Sequence, residues 1–360
     1  MGTLPELFPE ILSKGRRNVP KDLSLEDIAR LSGVSRSTVS RVINDQPYVS
    51  QKNREKVLRI IREHNFQPNL AARALASQRS RVIGVLIPHD VSDLFADPFF
   101  PILLKGITLA SNELGYGVTL WLSTVRNHHR SFYDSVFNES LIDGLIIASA
   151  TFDETFLKWL SNFRKPSVFV GAAPSSMPNV SFVDVDNRNG GFMATRHLLD
   201  IGCHRIGMIE GRQKQSSSDQ RREGYIEALE KADIPIDPEL IIPHGNYTES
   251  GGYEAMKRLL VRDVDGVFAA SDIMALGAMR AIREAGLRVP QDIAVIGFDG
   301  VPYGAISNPP LSTISQPIDL LGEETARTLV YVLDNDVPHA LYKILPVALV
   351  VRESTSRMVD

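Results

Sequence analysis

Apolar and polar positions follow two different rhythms along this chain of 360 residues, and the change falls near residue 82. From residue 24 to 66 the apolar positions recur at helical spacing and predict three short helices. Ser24-Leu25-Glu26-Asp27 has the form of a capping box, with Ser24 placed to cap the first free N–H groups. Leu25, Ile28, Ala29 and Leu31 make one apolar face, and Gly33 supplies a left-handed helix end. Ser35 caps a second helix reaching about Ile43, with Val39 and Val42 turned inward. Asn44 to Val49 is polar, contains Pro47 and reads as a loop. Ser50 caps a third helix, with Val57, Ile60 and Ile61 on its inner side. The Ala-rich stretch from Asn69 to Ala76 reads as a helical linker, far too short to be stable alone in water.

From Val82 onward, apolar runs of strand length alternate with longer helical segments. The runs are Val82–Ile87, Val118–Leu122, Leu145–Ala148, Val168–Val170, Ile206–Ile209, Val267–Ala270 and Ala294–Phe298, with a last core strand near Leu345–Val351. Helices are expected over Ile102–Leu114, Gly190–Ile201, Gln220–Ala232, Ser250–Leu260 and Ile273–Ala285. Near-continuous apolar strands alternating with helices predict parallel sheets covered on both faces. Two such units in about 280 residues leave a cleft between them.

Charge sharpens the division. Residues 1–81 carry a net charge of +7 and the remainder −11, within an overall −4. A basic head on an acidic body suggests a polyanion partner for the head alone, although a small basic segment also arises by chance. The single cysteine, Cys203, excludes a disulfide framework within one chain and any multi-cysteine metal site. The first residues lack a secretory signal, and no stretch of about 18 apolar residues predicts a membrane span. A cytoplasmic location is expected.

The strongest local motif runs through Ile28-Ala29, Gly33-Val34-Ser35, Thr38-Val39-Ser40 and Val42-Ile43-Asn44. It has the physics of a helix-turn-helix. Ala29 is small where the helices cross, Gly33 makes the turn, and the valines fix the second helix against the first. Arg36, Ser37, Ser40 and Arg41 are left on the outer face, where they can meet base edges and phosphates. A purely structural hairpin would favour better helix formers there.

These residues, with Val49-Ser50 and Pro68-Asn69, resemble the DNA-binding head and hinge of the lac repressor / gal repressor (LacI–GalR) family. The resemblance continues in Asp272-Ile273-Met274-Ala275-Leu276-Gly277, in Gly286 to Asp292, in Gly297-Phe298-Asp299 and in Leu311 to Pro317. It implies a small all-α helix-turn-helix head and an α/β periplasmic-binding-protein-like core of two doubly wound parallel-sheet lobes. The implied division is a tail over 1–23, the head over 24–68, a hinge over 69–80 and the core over 81–360. Within the core, an N-lobe spans about 82–184 and 318–344, and a C-lobe about 185–317 and 345–358.

The resemblance also implies roles. Arg36, Ser37 and Arg41 would read bases, with Ser40 and Thr38 near phosphates, and Leu25, Ser35, Asn44 and Tyr48 belonging to the same surface. In the hinge, Asn69 would touch the backbone beside Ala72 and Arg73, and Leu75 would wedge between base steps of the minor groove. Packing against the core is the alternative for Leu75, and a solvated side chain the alternative for Arg73. For a small-molecule effector, Phe99 and Phe100 supply an aromatic wall, Arg221 a donor fork and Asp299 an acceptor, which together suit a sugar. Ser271 and Asp272 are further candidates, with Asp272 equally suited to capping the following helix. Gln316 either lines the cleft or hinges it. Gly171-Ala172-Ala173 stands where many relatives place a polar residue, and the segment from Asp90 to Asp97 is slightly long.

The expected protein is therefore a transcription regulator, acting as a repressor and a homodimer on a pseudo-palindromic operator duplex, under control of an effector, with no cofactor, metal or membrane partner. A transported-sugar binding protein shares the two-lobed core but has no use for residues 24–76. An enzyme on two doubly wound domains needs a convergent titratable set, and no phosphate loop, His-Glu-x2-His or Gly-x-Ser-x-Gly motif occurs.

Overall fold

The computed structural model describes residues 23–43, 46–66, 79–87, 91–122, 141–148, 154–174, 176–213, 215–243, 245–335 and 337–356. The chain divides into two compact units, residues 1–80 and 81–360.

The first unit holds α1 (Leu25–Ser32), α2 (Arg36–Ile43) and α3 (Gln51–Glu63). The capping box forms as the sequence predicts. The Ser24 hydroxyl accepts from the Asp27 N–H at 3.2 Å, and the Asp27 carboxylate accepts from the Ser24 N–H at 3.0 Å. Gly33, at φ 68°, closes α1 in the left-handed conformation. Ile28, Ala29, Val39, Val42, Val57, Ile60 and Phe66 form the core, with Leu25, Val34 and Ile61 packed around it. Leu31 departs from the expected face and stands 43% exposed. At 100° per residue it lies off the line through Leu25, Ile28 and Ala29, on which Ser32 sits instead. Ser50 occupies the N-cap of α3 without a side-chain cap bond.

Among its described residues the second unit contains two six-stranded sheets. In the first, the order is β11-β5-β4-β3-β1-β2, built from β1 (Val82–Ile87), β2 (Gly117–Leu122), β3 (Gly144–Ala148), β4 (Ser167–Val170), β5 (Ser181–Val185) and β11 (Tyr342–Leu345). In the second, the order is β12-β10-β9-β8-β6-β7, from β6 (Ile206–Ile209), β7 (Ile241–Ile242), β8 (Gly266–Ala269), β9 (Ala294–Asp299), β10 (Ser312–Ser315) and β12 (Ala348–Val350). All pairings are parallel except β10 with β12. β3, β6, β8 and β9 are buried along their whole length, which explains their apolar sequences, broken only by Asp299 at the end of β9. The strand expected near 345–351 is in fact two, because the chain leaves the first sheet after Leu345 and enters the second at Ala348. Between them, Val347 packs against the apolar cores of both sheets.

Helices cover the sheets: α4 (Val91–Ala96), α5 (Phe99–Glu113), α6 (Glu154–Leu160), α7 (Asn187–Asp200), α8 (Ser216–Lys231), α9 (Glu249–Leu259), α10 (Asp272–Glu284), α11 (Pro302–Ala305) and α12 (Ile318–Asp334). The chain passes from one sheet to the other at 185–187, returns at 315–318, and crosses again at 345–348. α7 and α8 touch backbone to backbone. A Cβ on Gly191 would run into the carbonyl of Arg221, and one on Gly224 into that of Arg188. Gly224→Ala is therefore expected to wedge α8 off α7 and cost about 1–3 kcal/mol. Thermal unfolding checks this, and an unchanged midpoint would show that the helices part without cost.

Candidate functional site

On the helical unit, α2 turns Val39 and Val42 into the core and leaves Arg36, Ser37 and Arg41 exposed. The short polar side chains of its first turn satisfy one another. Ser35 Oγ lies 2.8 Å from Ser37 Oγ and 2.9 Å from Thr38 Oγ1, and accepts from the Thr38 N–H at 3.2 Å. Arg36 pairs with Glu26 of α1, Nε to Oε1 at 2.9 Å. Ser40 is half-buried, Leu25 packs on the helical core, and Tyr48 is 86% exposed. Asn44, Asn69, Ala72, Arg73 and Leu75 lie outside the described residues.

In the second unit a cavity of about 730 Å³ opens between the sheets. Arg221 on α8 is its buried centre. Its Nε donates to Asn187 Oδ1 at 2.9 Å, and Nη1 donates to the Ala270 carbonyl at 2.5 Å and lies 3.6 Å from Asp299 Oδ1. The guanidinium sits 3.5 Å above the Phe298 ring. Gln316 Nε2 in turn donates to Asp299 Oδ1 at 2.6 Å. The cavity thus joins Arg221, Asp299, Gln316, Phe99 and Phe100 from the expected set. The two phenylalanine rings meet edge to face with centroids 5.3 Å apart.

Ser271 and Asp272 do not line the cavity. Ser271 caps α10 through a bond from the Met274 N–H at 3.3 Å, which leaves Asp272 free of the capping role. Asp272 accepts instead from the N–H groups of Gly300 and Val301, each at 2.8 Å, and from Thr313 Oγ1 at 2.6 Å. It braces the turn after Asp299, whose φ of 117° is a costly backbone conformation for a residue with a Cβ. Asp272 therefore stands behind Asp299, outside the cavity lining.

Sequence reasoning missed several lining groups: Asp97, Asp184, Asn187 and Tyr247. Asp184 is a lone carboxylate in an apolar strand, a signal that was available. It accepts from the N–H groups of Ala172 and Val185, so Gly171-Ala172-Ala173 contributes backbone where side chains are absent. Asp97 accepts from the Phe99 N–H at 3.0 Å at the start of α5. Asn246 and Tyr247 both have positive φ, at 57° and 58°, which no sequence pattern foretells. Burial pushes the carboxyls of Asp184 and Asp299 up, against the opposing pull of Arg221. Burial also raises Asp97 to about 6, opposed by the Phe99 N–H and Arg221.

A helix-turn-helix and a two-lobed cleft on one chain define a ligand-responsive DNA-binding regulator. Residues 24–69 match the family "Bacterial regulatory proteins, lacI family", and residues 195–355 match the "Periplasmic binding protein-like domain". The HTH-type transcriptional regulator CelR of Thermobifida fusca is 37% identical over 335 residues, 92% of this chain and 98% of that protein. The ribose operon repressor of Halalkalibacterium halodurans is 32% identical, over 92% of this chain and 97% of its own length. Among solved structures, the CelR–cellobiose complex has a TM-score of 0.72 at 36% identity and covers 92% of this chain and 99% of its own. The lac repressor dimer bound to operator and the anti-inducer ONPF has a TM-score of 0.80 at 29% identity, with 93% and 99% covered. The chain belongs to the lacI family of bacterial regulatory proteins, and like these relatives it is a transcription regulator and not an enzyme. Among the described residues, no helix is long and apolar enough to cross a membrane.

Two predictions follow from the cleft electrostatics. The Asp97 carboxyl is raised in the folded state from 3.8 to about 6, so folding takes up a proton between these values. Stability contributed by this group therefore falls as pH rises from about 4 to 6 and stays low above. Asp97→Asn keeps the acceptor for Phe99 and removes the buried charge. Denaturant titration of the ligand-free protein should show a gain on the order of 2–3 kcal/mol at pH 7.5 that shrinks toward pH 4.5. No gain at pH 7.5 would contradict the burial argument. Asp272→Ala is expected to cost on the order of 3 kcal/mol, because three donors lose a buried acceptor. A near-neutral effect on denaturation would mean that the turn after Asp299 holds itself.

Proposed function

We propose that the protein is a cytoplasmic homodimeric repressor that binds a pseudo-palindromic operator and is released or tightened by an uncharged sugar in the cleft. The observation that carries the effector chemistry is the buried Arg221–Asn187–Asp299–Gln316 network beside the rings of Phe99 and Tyr247. Among the described residues, five carboxylate side chains line the cavity (Asp97, Asp184, Asp219, Glu223 and Asp299) against two arginines, Arg212 and Arg221. Such a lining offers hydrogen-bond partners to hydroxyl groups and, with burial favouring the neutral forms of Asp184 and Asp299, holds no excess of positive charge for an anion. The cellobiose of the CelR complex and the operator-bound dimer of the lac repressor support the reading.

We assign the tail to 1–23, the head to 24–68, the hinge to 69–80, and the lobes to about 82–184 with 318–344 and about 185–317 with 345–358. In this scheme the outer face of α2 enters the major groove. Asn187 and Gln316 sit at two of the crossings between the sheets, so a ligand that engages their partners biases the angle between the lobes.

Two measurements test the proposal. Duplex-DNA binding should weaken steeply with log salt, and a protein indifferent to DNA at low ionic strength would refute the reading. Calorimetric titration with cellobiose and ribose, against glucose 6-phosphate and gluconate, should find binding only among the neutral sugars. Arg221→Ala should weaken that binding by on the order of 3 kcal/mol, roughly 100-fold. Equal affinity for an anionic analogue, or an unchanged Arg221→Ala, would overturn the effector assignment.

A further inference from the structure

We propose that Glu26 is a positioning residue that holds the Arg36 guanidinium for a guanine in each operator half-site. The inference rests on the operator-binding reading above and adds which side chain reads which base. Arg36 opens α2, the position from which a helix in the major groove reaches base edges. Its Nε faces Glu26 Oε1 at 2.9 Å, while Nη1 and Nη2 have no partner among the described residues. That leaves the two-pronged end of the guanidinium available, the shape that matches O6 and N7 of guanine.

The neighbours of Arg36 reinforce the assignment. Ser35, Ser37 and Thr38 spend their hydroxyls on one another and on the first turn of the helix. A long arginine side chain otherwise samples many rotamers, and a fixed carboxylate beside Nε removes part of that freedom before DNA arrives. Arg41, one and a half turns on, is exposed as well. The Glu26 carboxylate also repels backbone phosphates, so it disfavours DNA on which Arg36 finds no guanine. Glu26 and Arg36 are 60% and 68% exposed, so the pair adds little to stability and its effect is on geometry.

Selection of binding sites from a random duplex library by the full chain tests this directly. The wild type is expected to enrich one guanine per half-site. Arg36→Ala and Arg36→Lys should each release that position by about tenfold or more, since a lysine lacks the fork. Glu26→Ala should relax the same position by a smaller factor, roughly three- to tenfold, and raise affinity for non-selected DNA. Glu26→Gln, which keeps an oxygen beside Nε, should restore most of the base preference. The proposal fails if Glu26→Ala and Glu26→Gln both keep the wild-type preference, or if the base that responds to Arg36 is not guanine. A wild type that enriches no sequence would instead bring down operator binding itself. Should Glu26→Ala unfold the helical unit, Glu26→Gln and Arg36→Lys still decide the matter.

Discussion

A guanidinium buried against an aromatic ring imposes conditions on everything near it. Arg221 cannot lose its charge, and its burial between α8 and Phe298 removes most of its water. The protein answers with acceptors drawn from separate elements: Asn187 at the start of α7, the Ala270 carbonyl after β8, and Asp299 at the end of β9. One charge thereby gathers the carboxyl ends of the second sheet around a single point, where open α/β sheets hold their ligands. Asp299 is then itself a buried carboxyl on a strained backbone, and Gln316 and the Asp272 brace hold it there. The contact of α7 with α8 at Gly191 and Gly224 sets how closely Arg221 approaches Asn187.

Much of this architecture was legible in the residues. The helical unit follows a short code of caps, small residues and inward valines, and that code is local. β3, β8 and the Ala294–Phe298 run of β9 were legible because both faces are covered, which favours apolar side chains. β5, β10 and β11 were not. Asp184 interrupts β5, serines and a threonine fill β10, and most of β11 is exposed at the sheet edge. Their polar groups are satisfied by partners distant in sequence, such as Ser312 by Ser354 and Thr355, so a window of ten residues sees only a loop.

The cleft shows the same limit. Arg221 and Asp299 stood out through motifs, whereas Asp97 and Tyr247 become site residues only because the fold brings their loops together. Asp272 illustrates the reverse case. A conspicuous aspartate in a strong motif suited a ligand contact and a helix cap equally, yet its three bonds run to the turn that follows Asp299 and to β10. The motif records a bracing role that chemistry alone could not distinguish from contact.

The last crossing carries a further consequence. Only Pro346 and Val347 separate β11 from β12, so the facing edges of the lobes stay within roughly 11 Å of each other at full extension. On the β11 side Leu345 is paired with Val185, and on the β12 side Ala348 with Ser315. Adding or deleting one residue here would flip the side chains of one edge strand to the wrong face. Length variation among related chains should therefore be forbidden at this link while surface loops drift freely, and any breathing of the lobes must pivot about this short tether.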